Sequence, residues 1–191
     1  MMVTHNKLIN LCIGGWIEDC IKYLTSDEAD EQTIENAFAY IMINDMENCF
    51  FKIVDLIAKK IDIYSEHKQF KYFEYACIGG NIRILSWFLL NGYNMSNLIG
   101  CLSATTHGGH IEASKFLISN GANTYEHINC DECFAFLNVV LADNEELIKL
   151  FIENGADIVL TISTIDKEYK EKYKKEIIDK INNYWNKYKI A

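Results

Sequence analysis

Not one proline occurs among the 191 residues, and glycine occurs only ten times. These two residues are the usual punctuation of short strands and tight hairpins, so an all-β sandwich is not expected. Arginine is almost missing too, with Arg83 alone among 18 basic side chains. Acidic side chains number 27, and a net charge of −9 repels phosphate, which argues against a nucleic-acid partner. No apolar run exceeds a handful of residues, so no membrane span is expected. Met1 to Ile17 has no basic stretch leading into an apolar one. No secretory leader is therefore expected, and the seven cysteines read as reduced thiols of a cytoplasmic protein.

What is present suits a folded chain. Half of the residues are apolar and 24% are charged, enough to bury a core in one domain or one short array of repeats. The charge is uneven. Residues 1–163 carry ten basic against 22 acidic side chains, a balance of −12, whereas residues 164–191 carry eight against five, a balance of +3. Isoleucine, asparagine, lysine and tyrosine are abundant, and their codons point to an A/T-rich source genome.

The chain repeats itself. Ala76-Cys77-Ile78-Gly79-Gly80-Asn81-Ile82-Arg83 aligns with Thr105-Thr106-His107-Gly108-Gly109-His110-Ile111-Glu112. Each continues into an apolar stretch and closes on Asn91-Gly92 or Asn120-Gly121, twelve residues from glycine to glycine in both copies. A third copy runs from Asp143 through Leu150-Phe151-Ile152 to Gly155, again twelve residues. Weaker copies begin at Gly14-Gly15 and Asn44-Asp45, so the anchors Gly15, Asn44, Gly80, Gly109 and Asp143 lie 29, 36, 29 and 34 residues apart. Each unit reads as helix, tight turn, helix and loop, the turn needing a residue that tolerates a left-handed backbone. Ile82, Leu85, Phe88 and Leu89 form the expected buried stripe of one second helix. Asn44 to Lys60 spans sixteen residues rather than twelve, which predicts a second helix about one turn longer in that copy.

The G-H/N-I-E turn and the G-A-N or G-A-D unit ends resemble those of ankyrin repeats, over about Lys7 to Ile158. The T-P-L-H start typical of that family is missing, and Gly100-Cys101-Leu102-Ser103 stands in the corresponding stretch of the unit at Gly109. Proline-poor, Ile/Asn-rich units of this kind look most like the ankyrin-repeat proteins of large DNA viruses of amoebae. The resemblance implies an all-α solenoid of about five helix–turn–helix units near 7–30, 34–63, 70–94, 97–123 and 131–158. The repeat array is expected over residues 1–163 and a C-terminal amphipathic helix over 164–191. In that helix Ile165, Tyr169, Tyr173, Ile177, Ile181 and Trp185 recur every four residues from about Asp166 to Tyr188, the pattern of a cap on the last unit or, alternatively, of a partner-binding helix.

His127, Cys130 and Cys133 form the most suggestive chemical constellation, because imidazole and thiolates at these spacings can converge on zinc. A fourth ligand would have to come from Cys101, His107 or His110, so ordinary loop residues are the simpler reading. Cys12 and Cys77 occupy equivalent slots and read as packing residues, and Cys20, Cys49 and Cys101 as scattered core thiols. His107 and His110 flank a turn and read as structural. No phosphate loop, nucleophile elbow or metalloprotease pair is found, so neither an enzyme nor a cofactor is expected.

The resemblance implies a monomeric protein–protein interaction module of the cytoplasm, engaging a partner through loop tips and first helices. Were the source viral, the partner would be a host protein in the host cytoplasm. Candidate contact residues are Tyr64, Ser65, His67, Tyr72, Met95, Ser96, Tyr125, Glu126, His127 and Asn129, with tyrosines as anchors. The alternative is a metal-stabilised regulatory domain built around His127, Cys130 and Cys133.

Overall fold

A computed structural model describes residues 6–93, 100–122, 124, 135–168 and 171–189, including the side chains of all but 66, 67, 160, 164, 166–168, 171 and 172. Among them lie twelve helices and no strand. The chain divides into two compact units, Met1–Asn94 and Met95–Ala191, with the boundary between the third and fourth expected repeats.

The first unit holds α1 (Lys7–Ile13), α2 (Ile17–Thr25), α3 (Glu31–Ile43), α4 (Glu47–Lys60), α5 (Glu66–Gly79) and α6 (Ile82–Leu90). The helices pair in sequence as α1/α2, α3/α4 and α5/α6. α1 packs on α3 and α3 on α5, while α2 packs on α4 and α4 on α6. First and second helices therefore form separate layers. Phe38, Phe50, Tyr72, Phe73 and Phe88 are buried between the layers, with Phe38 stacked on Phe50 at 5.7 Å and Tyr72 edge-on to Phe38 at 5.1 Å. The longer second helix expected in the second copy is α4, with 14 residues against nine in α2 and α6. Of the predicted α6 stripe, Leu85 and Phe88 are fully buried, but Ile84 joins them, whereas Ile82 and Leu89 are only half-buried.

The second unit holds α7 (Cys101–His107), α8 (Ile111–Ser119), α9 (Ala135–Leu141), α10 (Glu145–Glu153), α11 (Ile158–Glu168) and α12 (Glu171–Tyr188). α7/α8 and α9/α10 pair as above, with α7 on α9 and α8 on α10. The terminal helix expected from Asp166 falls in α11, which already begins at Ile158, and in α12, with residues 169 and 170 outside the described ones. No glycine or proline separates Ile158 from Asp166, so the start at Ile158 is not signalled in the sequence. α12 packs on α9, α10 and α11, burying Ile177 and Ile181. Tyr173 is 50% exposed, and Tyr169 lies outside the described residues. Charge reinforces the docking. Lys180 Nζ lies 2.8 Å from Asp143, the Tyr184 hydroxyl donates to the same carboxylate at 2.9 Å, and Lys187 and Tyr188 both donate to Glu145.

The turn inside each pair has one design. Gly15, Asp45, Gly80, Gly109 and Asp143 all take positive φ, between 52° and 71°. In the second copy the left-handed residue is Asp45, one position after the expected Asn44, whose φ is −98°. At Gly109 and Asp143 the left-handed N–H donates back to Thr106 and Val140, and the next N–H, at His110 or Asn144, donates to Thr105 or Val139. That crossed pair of bonds is the Schellman closure of a helix C-terminus. It recurs at the ends of α6, α8 and α10, where Gly92, Gly121 and Gly155 have φ of 89°, 95° and 83°.

Gly79 serves a different need. A Cβ there would lie 2.0 Å from the Met42 carbonyl oxygen, so the backbones of α3 and α5 touch at this point. Gly15 has open space around its missing Cβ and needs glycine only for its φ of 70°. Gly15→Ala should therefore cost about 1 kcal/mol, the strain of a left-handed alanine. Gly79→Ala forces two helices apart and should cost about 3 kcal/mol. Urea midpoints measured side by side check this ordering, and equal losses would contradict the backbone contact.

The ties on α12 also make a pH prediction. The Lys180 ammonium, and after it the Tyr184 hydroxyl, hold the Asp143 carboxyl below its ordinary range, and Lys187 and Tyr188 do the same for Glu145. Carboxylates with depressed pKa values contribute stability above their ordinary values near 4, and that contribution is lost as pH falls through the depressed ones. NMR amide signals of α12 should therefore move toward exposed-helix positions below about pH 4, before the rest of the unit responds. Signals of α12 that stay fixed until the whole unit unfolds would refute the electrostatic docking.

Candidate functional site

Within the first unit the layer of first helices presents a side that no other described helix of that unit covers. Aligning α1, α3 and α5 on their turns places Ile13, Ile43 and Ile78 at one position, each immediately before the turn. All three are exposed, at 53%, 38% and 38%. One helical turn earlier the matching residues are Asn10, Tyr40 and Tyr75, exposed or half-exposed. The outward side thus carries an aliphatic row beside an amide and two phenols. At the α1 end stands Trp16, 60% exposed, its indole 3.0 Å from where a Gly14 Cβ would be. Gly14 therefore leaves room for the ring to lie on the turn. In the second unit the same position is taken by His107 and Leu141, both exposed.

The first unit also gathers three thiols. Cys12 on α1 and Cys20 on α2 flank the first turn, and α4, packed on α2, brings up Cys49. The three sulfurs lie within 4.8 Å of one another, and Cys12 and Cys20 are 3.6 Å apart. All are buried, at 2%, 0% and 4% exposure. Hydrogen bonding to Cys49, then burial, pushes the Cys12 thiol far up; burial pushes Cys20 up to about 11. Cys49 is held below the usual thiol range by the hydrogen bond from Cys12.

The anticipated contact residues divide three ways. Tyr64 is 44% exposed at a loop tip stiffened by Asp62, whose carboxylate accepts from the Tyr64 and Ser65 N–H groups at 3.0 and 3.1 Å. Tyr72 must be corrected, since at 1% exposure it is a core residue beneath Phe38 and offers no surface. Met95, Ser96, Tyr125, Glu126, His127, Asn129, Cys130 and Cys133 lie outside the described residues, as does the side chain of His67. Cys101 is buried in α7, and His107 and His110 flank the α7–α8 turn as expected. The five described cysteines are buried thiols, in keeping with their reading as core residues. The convergence of Cys12, Cys20 and Cys49, separated in sequence by 8 and 29 residues, went unforeseen. The row Ile13, Ile43 and Ile78 was also missed. Its signal was present, an isoleucine before the turn in each of the first three copies, at a helix position that points away from the partner helix.

Comparison with protein-family models, with curated proteins and with solved structures found no match.

Burial of Tyr72 generates a test of its own. Its hydroxyl makes no well-formed hydrogen bond among the described residues, with only the Glu35 carboxylate close enough for a weak one, and burial, then that carboxylate, raises its pKa. Removing an unsatisfied buried hydroxyl while keeping the ring should be neutral or gain up to about 1 kcal/mol. Tyr72→Phe melted in urea beside the parent checks this, and a loss above that size would reveal a bond the hydroxyl makes.

Proposed function

We propose that this chain is an ankyrin-type repeat protein acting as a non-enzymatic protein-interaction module, and that the first-helix side of residues 6–93 receives the partner. The exposed row Ile13, Ile43 and Ile78, with Trp16 at its end, is the observation that carries this reading. Tryptophan and tyrosine dominate binding hot spots because they bury a large area while keeping a polar end hydrated. Trp16, Tyr40 and Tyr75 supply such groups beside aliphatic side chains on helices, where spacing is held by the fold. Support for the ankyrin assignment comes from the recurrent helix pairs, their left-handed turns at one position and the layering of first and second helices. The viral likeness makes a host-cell protein the natural partner.

The test is affinity capture with the full chain against a variant carrying Ile13→Glu, Ile43→Glu and Ile78→Glu. These positions are exposed, so melting should shift by no more than about 0.5 kcal/mol per site. A control variant changes Glu18 and Lys52, which lie exposed on the second-helix layer. Proteins held by parent and control but lost from the triple variant, at least tenfold, are expected. Equal capture by all three would remove this surface from consideration.

A further inference from the structure

Cys12, Cys20 and Cys49 come from three helices, yet their sulfurs meet inside 4.8 Å. A cysteine used only as a small apolar filler has no need to meet others. Cys77 gives the contrast, since it sits in the same slot of α5 that Cys12 takes in α1 and is fully buried, yet is not part of the cluster.

We propose that the three cysteines form a metal site for a soft ion satisfied by three sulfur ligands, of which monovalent copper is the biological example. Three sulfurs around one ion at a metal–thiolate bond of about 2.3 Å stand about 4 Å apart. Cys12 and Cys20, at 3.6 Å, already approach that separation, and the whole triad lies within the limit. Softness follows from the donor set, because thiolates select copper(I), zinc and iron–sulfur clusters over hard ions. Coordination number then separates these. A structural zinc site closes with four protein ligands, and among the described residues no histidine, aspartate, glutamate or further cysteine joins the triad. Copper(I) is content with three.

Loading is an exchange of protons for metal, with no change in oxidation state. One copper(I) forms three Cu–S bonds as three S–H bonds release their protons to solvent, leaving a site of charge −2, or −1 where one thiol keeps its proton. No lysine, arginine or histidine is buried among the described residues to offset that charge. Affinity should therefore climb steeply with pH, by tenfold per unit for each proton released. Entry needs only a local opening. α1 packs on α2 and α3, and α2 on α1 and α4, so lifting the α1/α2 pair uncovers the triad without disturbing the α5/α6 pair. The site stands independently of the partner surface proposed above.

The experiment titrates the reduced full-length protein, free of oxygen, with copper(I) against a copper(I) chelator, and takes X-ray absorption spectra at one equivalent. We expect one tightly held copper with three sulfur neighbours and an apparent affinity rising at least a hundredfold per pH unit. Cys12→Ala, Cys20→Ala and Cys49→Ala should each weaken it at least a hundredfold, and Cys77→Ala should not. Copper held by two sulfurs, no stoichiometric copper, or a four-coordinate zinc that displaces it would overturn the proposal. Equal affinity of parent and Cys49→Ala would do so as well. Should the alanine variants not fold, the sulfur count in the parent decides alone.

Discussion

One backbone requirement underlies the architecture: a single left-handed residue between the two helices of each pair. A helix leaves its last carbonyls unpaired, and the left-handed step lets the next N–H groups turn back and satisfy them while reversing the chain. At Gly15, Gly80 and Gly109 glycine takes that conformation without a Cβ penalty. At Asp45 and Asp143 a side chain is present, and in both cases it is used. The Asp45 carboxylate accepts from Asn81, the residue that also caps α6 by accepting from the Ile84 N–H. The Asp143 carboxylate receives Lys180 and Tyr184 of α12. The strain of a left-handed aspartate is thus offset by a tie to a later helix. These two turns act as fastening points as well as reversals.

Much of this was legible in the sequence because turns are local. Glycine, asparagine and aspartate before an apolar-periodic stretch mark a helix reversal from chemistry alone, and the twelve-residue spacing to Gly92, Gly121 and Gly155 measures the second helix. Even the long α4 could be anticipated by counting residues between signals. Displacement of the second anchor from Asn44 to Asp45 was not visible, since either residue tolerates positive φ. The early start of α11 was hidden for a similar reason, because no helix-breaking residue lies between Ile158 and Tyr188.

Contacts between distant segments were the illegible part. Tyr72 reads like any tyrosine near a loop, and only the position of Phe38 above it shows that it is core. Cys12, Cys20 and Cys49 share no motif spacing, because they converge through the packing of α2 on α4 rather than along one helix. A search for metal ligands by sequence spacing favours His127, Cys130 and Cys133 for the same reason that it passes over a triad assembled in three dimensions.

The contact at Gly79 bears on how a partner would read this protein. Where a Cβ would collide with the Met42 oxygen, glycine instead directs a Cα hydrogen at that carbonyl, so two main chains abut with no side chain between them. Residues on either side of that seam are Ile43 and Ile78. Most neighbouring helices are held apart by side chains that can change rotamer, and their spacing can breathe. Here the interval between two exposed isoleucines is set by covalent geometry and van der Waals radii. On the proposed reading, such a surface would act as a caliper: it would select a complementary spacing in what it meets, with little ordering entropy lost on its own side.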